Sequence, residues 1–422
     1  MTERGHDARQ TCPPNRSRGR VRRALAGFGL VTFAFAAHAR AALPASVELT
    51  RPDEPILTAP DARAPRRGAG ERGARLPVYA ASGGPGCESA WFEVGPLAWL
   101  CGDGASPSPL PPSGPSEPAG DGLPFAYHFV GRDGSFGYRV LETAEEGDPD
   151  TQLFPGFGLA ITRIAAKPGQ RDPFGLTTHR LWVPLRDLGA RVVPPPPLAA
   201  ELADGLAVAW VNVPSASLYE RPAGRQKPGA FVEALTRVDV LERVELRHEA
   251  WLRVDEAAWL RERDTTSPLL KPPPAEAAPD ERWLDIDLAR QVLVAYRGER
   301  PLFALPVSTG RGPAGTELAT PPGVHRIWVK LRTSDMDNLE DTDATRNYAI
   351  QAVPWVMYFE RGYGLHGAFW HRGFGHVMSH GCVNLTPADA QRLFAWTSPH
   401  LPAGWSAVLP TEYERGTLVR VE

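Results

Sequence analysis

Apolar residues along this chain come in short runs broken by turn residues, and many of the runs alternate with polar positions. Such runs are Trp91-Phe92-Glu93-Val94, Leu159-Ala160-Ile161-Thr162, Ala207-Val208-Ala209-Trp210-Val211, and Trp251-Leu252-Arg253-Val254 followed by Ala258-Trp259-Leu260. Alternation and β-branched or aromatic enrichment at this length predict strands. The last block opens the same way, with Trp283-Leu284-Asp285-Ile286-Asp287 and Val292-Leu293-Val294-Ala295-Tyr296. A turn at Arg297-Gly298 and Leu302-Phe303-Ala304-Leu305 then complete a strand-turn-strand unit, and Val324 to Leu331 continues the pattern. One helix stands out, beginning after Leu385. There Thr386 is a good N-cap, Pro387 suits the first helical position and Asp389 lies near the positive end of the helix dipole, so a helix to about Trp396 is expected. The fold class is therefore mainly β.

Proline and glycine set the boundaries. The chain holds 44 Pro and 41 Gly, a content that favours short strands, turns and extended linkers. Four Pro-rich stretches, 52–65, 107–118, 194–197 and 268–279, prefer extended polyproline geometry. Read as separators, they give a disordered Pro/Arg-rich tether over 42–73, a β-rich domain of unknown role over 74–192 and a small β domain over 205–264. A linker over 265–280 and a C-terminal domain over 281–422 follow. At 422 residues the chain is long enough for two or three cores.

Composition narrows the function classes. A net charge of -3 with 42% hydrophobic and 23% charged residues is ordinary for a globular protein and gives no reason to expect nucleic acid as partner. Residues 1–41 read as a signal peptide, with Arg16, Arg18, Arg20, Arg22 and Arg23 before the apolar run Ala24 to Ala37 and a small-x-small site at Ala37-His38-Ala39. The run is short for a membrane span of about 20 residues. Membrane contact is thus expected only through this signal, and the destination is the periplasm or cell envelope. Cys12 falls in the removed part. Of the remaining cysteines, Cys87 and Cys101 flank a compact segment and suit a local disulfide, with two unpaired small hydrophobes as the alternative, and Cys382 stands alone.

Eleven histidines are spread over the chain, yet His366, His371, His376 and His380 fall close together, just before Cys382. A thiol acts as thiolate, and its pKa falls beside an imidazolium or a helix N-terminus. Both are near Cys382, which precedes the Thr386 cap by four residues. Gly381 lets backbone N–H groups turn inward to hold a developing oxyanion.

These residues carry a resemblance. Residues 379–385 (SHGCVNL), preceded by 365–371 (LHGAFWH), resemble the signature of the L,D-transpeptidase (YkuD-like) catalytic domain. Ser308-Thr309-Gly310, Thr320-Pro321-Pro322-Gly323 and Val353 to Phe359 match in the same order. The resemblance implies a β-sandwich with few helices, Cys382 as nucleophile, and His366 as base oriented by the main-chain carbonyl of Gly367. It further implies His380 and Gly381 on the oxyanion side, and Ser379 and Asn384 shaping the loop. Tyr358, Trp370 and Arg372 are the candidate substrate-binding residues. Met378 stands where relatives often carry a basic residue, so recognition of a substrate carboxylate would fall to Arg361 or Arg372. The implied substrate is the peptide stem of the cell wall, with no cofactor. The acceptor is open among a diaminopimelate amine, water and a protein lysine. Upstream, 211–222 (VNVPSASLYERP) and 251–260 (WLRVDEAAWL) resemble bacterial SH3-like barrels, implying either a wall-binding module or a spacer.

Other readings compete. Four histidines and a cysteine are all zinc ligands, but they lie in a Gly/aromatic loop with no H-E-x-x-H spacing. A papain-like hydrolase places its cysteine before its histidine, the reverse of this order. A buried inert thiol is the bland reading of Cys382, and a wall-binding scaffold without activity is the non-enzymatic one. The acidic stretch Asp335, Asp337, Glu340, Asp341, Asp343 lacks the spacing of a calcium loop and reads as a solvated loop or a lid over the cleft.

Overall fold

The computed structural model describes residues 43–114, 120–169, 171–202, 207–340 and 347–422. The expected signal peptide, Cys12, Asp341 and Asp343 lie outside these residues. The first described segment forms eight strands: β1 (Ser46–Leu49), β2 (Glu54–Leu57), β3 (Arg66–Gly70), β4 (Arg75–Pro77), β5 (Ala80–Ser82), β6 (Trp91–Gly95), β7 (Ala98–Cys101) and β8 (Ala105–Ser108). They pair in the orders β4-β1-β8 and β3-β2-β7-β6-β5. The disordered tether expected over 42–73 is thus corrected, because that stretch supplies β1 to β3. Val47, Leu49, Ile56, Leu76 and Leu100 are fully buried in its core, and Pro55 pairs with β3 alone, outside the β2–β7 ladder. Cys87 and Cys101 are joined in a disulfide with a Cα–Cα distance of 5.6 Å.

Two more copies of this arrangement follow. The second comprises β9 (Ala126–Phe129), β10 (Ser135–Gly137), β11 (Thr151–Leu153), β12 (Gly158–Ala166), β13 (Pro173–Thr177) and β14 (Trp182–Pro184). The short β15 (Ala200–Glu201) precedes the third, which comprises β16 (Ala207–Val211), β17 (Ser215–Tyr219), β18 (Gln226–Glu233), β19 (Arg237–Val240), β20 (Glu242–Leu246), β21 (Glu249–Asp255), β22 (Ala258–Arg261) and β23 (Thr265–Thr266). The third pairs as β19-β16-β23 and β18-β17-β22-β21-β20, the order of the first. In the second, the long β12 pairs with both β9 and β13, taking the places of β4 and β5. The hairpin that closes each module keeps one register: Glu93↔Trp99, Leu176↔Trp182 and Arg253↔Trp259. A single 3-10 turn follows each, at Gly102–Gly104, Leu185–Asp187 and Glu262–Asp264. The block 74–192 is therefore the rest of module 1 plus module 2, and module 3 extends past 264 to Thr266.

The C-terminal block contains β24 (Arg282–Asp287), β25 (Val292–Arg297), β26 (Arg300–Pro306), β27 (Gly323–Arg326), β28 (Val329–Asp337), β29 (Ala349–Glu360), β30 (Tyr363–Gly367), β31 (Val383–Leu385), helix α1 (Pro387–Trp396), β32 (Trp405–Val408) and β33 (Leu418–Val421). One sheet runs β15-β26-β25-β24-β33-β27, and the other is built on β28, β29, β30, β31 and β32. Leu284, Leu293, Leu305, Met357, Leu365 and Leu393 meet between the two sheets and α1, giving the expected β-sandwich with few helices. Thr386 caps α1 by accepting the Asp389 N–H at 3.2 Å. At the other end, the buried Lys330 ammonium reaches the carbonyls of Phe394 and Thr397 at 2.5 and 2.8 Å, satisfying groups a helix end leaves open.

The modules are fastened to this sandwich. β3 extends the second sheet by pairing with β32, Gly68 opposite Val408 and Ala69 opposite Ala407. Gly158 of β12 lies beside Ile350 of β29. The buried Tyr127 hydroxyl donates to the Ala352 carbonyl at 2.5 Å and its ring packs 4.2 Å from that of Phe369. Neither Pro-rich separator hangs free. After Pro194–Pro197, the N–H groups of Leu198 and Ala199 donate to the Asp389 carboxylate at 2.7 and 3.2 Å. In 265–280, Lys271 Nζ lies 3.5 Å from Asp287 and 2.5 Å from Glu422, while its N–H donates to Tyr296 Oη at 3.0 Å. The acidic stretch is corrected as well: Asp335 and Asp337 belong to β28 and not to a loop.

Candidate active site

Two parallel strands bring the candidate pair together. β30 pairs with β31 so that His366 lies opposite Asn384 and Leu365 opposite Val383. Continued by one residue, that register sets Cys382 opposite Gly364, whose N–H reaches the thiol. The sulfur also lies 3.8 Å from the Gly362 carbonyl. Gly381 has φ +124°, and a Cβ there would meet the Tyr363 ring at 2.4 Å; glycine is needed both for the conformation and for the close approach.

Ser379 stitches this turn. Its hydroxyl accepts the Gly381 N–H at 3.0 Å and donates to the Cys382 carbonyl at 2.5 Å. The Gly381 N–H is therefore engaged within the turn. Thr320 Oγ1 donates to the Gly381 carbonyl at 2.8 Å and accepts the Gly310 N–H at 2.9 Å, so segments 308–310 and 320–323 buttress the turn before Cys382. Asn384 is buried and exchanges backbone hydrogen bonds with Ser308 at 2.8 and 3.0 Å. Its amide lies 2.9 Å from His371 Nε2. Because His371 Nδ1 accepts the Gly373 N–H at 3.2 Å, the proton belongs on Nε2 and the amide oxygen is its natural partner.

His366 is 2% exposed. Its Nδ1 lies 3.5 Å from the Gly367 carbonyl, a long contact that puts the proton on Nδ1 and leaves Nε2 as the basic atom. Its ring stacks on Trp370 with centroids 5.7 Å apart. Burial drives its pKa down to about 4, the Gly367 carbonyl opposing and His371 adding to the fall. Burial pushes the Cys382 thiol up, opposed by the Gly364 N–H. At neutral pH the resting pair is thus thiol plus neutral imidazole.

His366, Cys382, Ser379, His380, Asn384, Tyr358 and Trp370 line one cleft of about 1240 Å³. Gly367 sits beneath it, where a Cβ would meet Pro387 of α1 at 3.0 Å. Arg372 is not brought there: its guanidinium faces the Val193 carbonyl at 3.4 Å, in a separate cavity beside the Pro194–Pro197 strap. Arg361 does line the cleft. So does Arg311, which the sequence reading missed although it directly follows the matched Ser308-Thr309-Gly310. Arg311 Nη2 donates to His380 Nε2 at 2.6 Å, and burial together with this cation lowers the His380 pKa. The His380 ring stacks on Tyr348 at 5.5 Å. Three module 2 residues, Phe129, Pro155 and Gly156, complete the wall. His376 is exposed.

Residues 281–421 match the family described as YkuD, the L,D-transpeptidase catalytic domain. Among solved structures, the chain is similar to an L,D-transpeptidase mutant from Enterococcus faecium, with 22% identity over 34% of this chain and 50% of that one and a TM-score of 0.25. It is also similar to an L,D-transpeptidase from Stackebrandtia nassauensis, with 24% identity over 35% and 58% and a TM-score of 0.24. For an L,D-transpeptidase from Mycobacterium smegmatis the figures are 16%, 44% and 90%, with a TM-score of 0.26. The chain thus spans about half the length of the first two. No curated protein matches it. No helix among the described residues is long and apolar enough to cross a membrane.

Proposed function

We propose that this chain is an exported cysteine acyltransferase that cross-links the peptide stems of the bacterial cell wall, with Cys382 as nucleophile and His366 as base. The observation that carries the reading is the parallel β30–β31 pairing, which sets the thiol and a buried, neutral imidazole at the floor of one cleft, within a segment that matches a transpeptidase catalytic domain.

As Cys382 attacks the carbonyl of the third residue of a tetrapeptide stem, His366 Nε2 takes the thiol proton. The C–S bond forms, the tetrahedral intermediate collapses, and the terminal D-alanine leaves with that proton. The main-chain N–H groups of His380 and Cys382 are the oxyanion donors in this reading. Arg311, with His380 as its partner, is placed to meet a stem carboxylate. An amine from a neighbouring stem then resolves the thioester to give a 3→3 cross-link. The reading places the enzyme in the cell envelope, and the SH3-like reading of module 3 extends by its pairing to modules 1 and 2.

Intact-mass measurement of the mature protein incubated with a disaccharide-tetrapeptide tests the proposal. A covalent adduct lacking D-alanine, absent from Cys382→Ala, is expected. Absence of both adduct and released D-alanine under reducing conditions overturns the nucleophile assignment and favours a scaffold.

A further inference from the structure

The cavity beside the Pro194–Pro197 strap lies apart from the Cys382 cleft, with no lining residue in common. It measures about 590 Å³, within the range of sites that hold small organic ligands. The strap contributes residues 195–199, module 3 contributes Trp210 and the turn 234–237, and the catalytic domain contributes Arg372. All three are fixed before any ligand arrives. The strap is pinned from both sides, since Leu198 and Ala199 donate to Asp389 and the Leu198 carbonyl accepts from Trp210 Nε1 at 3.0 Å. The turn is tied to β16 at Leu235, which has φ +62° and donates its N–H to the Val211 carbonyl at 2.7 Å. The loop carrying Arg372 is anchored by Ser308 Oγ, which donates to the Gly373 carbonyl at 2.9 Å, and it packs on module 3 where a Cβ at Gly375 would lie 3.6 Å from that of Asn212.

The chemistry of the lining is one-sided. Its charged residues among those described are Arg237 and Arg372, with no acid beside them in the lining. Arg372 gives one nitrogen to the Val193 carbonyl at 3.4 Å, and Arg237 lies 3.6 Å from Asp239, beyond hydrogen-bond reach. Each guanidinium carries five N–H donors in a planar fork, so both keep donors for an oxyanion. The Asp389 carboxylate is spent on Leu198, Ala199 and Thr386 and does not compete. The strap adds the opposite polarity, because Pro195, Pro196 and Pro197 have no N–H and offer apolar rings and carbonyl oxygens. A bare inorganic ion would use the arginines and leave that wall idle. A short peptide uses both, its carboxylate on the guanidiniums and its N–H groups along the proline carbonyls.

We propose that this cavity binds a short acidic peptide, its carboxylate held between Arg237 and Arg372 and its chain along Pro195, Pro196 and Pro197. The bound peptide bridges module 3 to the loop that joins His366 to Cys382. Binding here is independent of the acyl-transfer reading, because no chemistry at Cys382 enters it.

The test uses the full mature chain with N-acetyl-alanyl-glutamate as probe, read by calorimetry and by hydrogen exchange. Arg237→Ala and Arg372→Ala are each expected to weaken binding about tenfold, the equivalent of one charge-assisted contact. Arg311→Ala, in the Cys382 cleft, is expected to shift Kd less than about twofold. The uncharged N-acetyl-alanyl-glutamine amide should bind at least about tenfold more weakly than the acid, and exchange at Leu198, Leu235 and Thr236 should slow when the acid is added. No binding by the wild-type chain, protection confined to β30 and β31, or a Kd that responds to Arg311→Ala alone overturns the site. Inorganic phosphate binding as tightly as the peptide overturns the peptide as occupant. If thermal unfolding shows that an alanine variant has lost its fold, Arg237→Gln and Arg372→Gln, which keep amide donors and remove the charge, carry the same expectation, and an unchanged Kd in both overturns the site.

Discussion

In the proposed reaction pH acts through the Cys382–His366 pair, and alkylation by iodoacetamide reads the state of that pair directly. The thiol is pushed above its ordinary value by burial, and His366 is held down at about 4. An ordinary cysteine is a few per cent thiolate at pH 7, so the Cys382 fraction is smaller still, and His366 is uncharged at every pH above about 5. Alkylation of the resting enzyme should therefore climb about tenfold per pH unit from pH 5 to 8 with no low-pH plateau, since each unit is worth about 1.36 kcal/mol of thiolate formation. A preformed thiolate–imidazolium pair behaves differently, with a plateau across that range bounded by the two pKa values. His366→Gln should leave the alkylation profile nearly unchanged, because the imidazole does not supply the thiolate at rest, yet it should reduce acyl-enzyme formation by about 10²-fold or more through loss of the base. A flat alkylation profile between pH 5 and 8, or its collapse in His366→Gln, would refute the neutral-pair reasoning. The same depressed His366 pKa has a stability sign. Between about pH 4 and 6.5 the unfolded chain binds a proton the folded chain does not, so stability falls as pH drops through that window.

Three substitutions extend the test. Gly381→Ala places a Cβ 2.4 Å from Tyr363 at φ +124° and should cost about 2 kcal/mol or more while slowing acylation, with thermal unfolding and the mass assay as readouts; a fully active, equally stable variant contradicts the turn geometry. Asp389→Ala strips the acceptors of the Leu198 and Ala199 N–H groups, and denaturant unfolding should show about 2–4 kcal/mol of destabilisation. Gly68→Ala drives a Cβ to 2.3 Å from the Ala407 carbonyl, and hydrogen exchange should rise along β3 and β32 with a cost of about 1–3 kcal/mol.

Local signals in the sequence were sufficient for some of this. The α1 start was legible because a cap, a proline and an acid coincide within four residues, and β24 to β26 because the turn at Arg297-Gly298 separates apolar runs. The Cys382 loop was legible as a dense cluster of reactive types. The module repeat was not, since what recurs is a register and a tryptophan position, while Cys101, Pro184 and Arg261 differ in identity on equivalent rungs. Composition misled at 42–73, where proline and arginine masked alternate buried positions. Arg311 and the module 2 wall come from residues distant in sequence, and Arg372 points away because the strap at Val193 captures it. No local pattern records either fact.

The β3–β32 seam also bears on what a catalytic fragment would be. Cut free at residue 281, the sandwich would expose Trp405, Ala407 and Val408, all now buried, on a strand whose outward N–H and C=O groups have lost their partner. Such an apolar open edge invites pairing with another copy of itself. Module 1 thus serves as an edge guard for the β32 side of the sandwich.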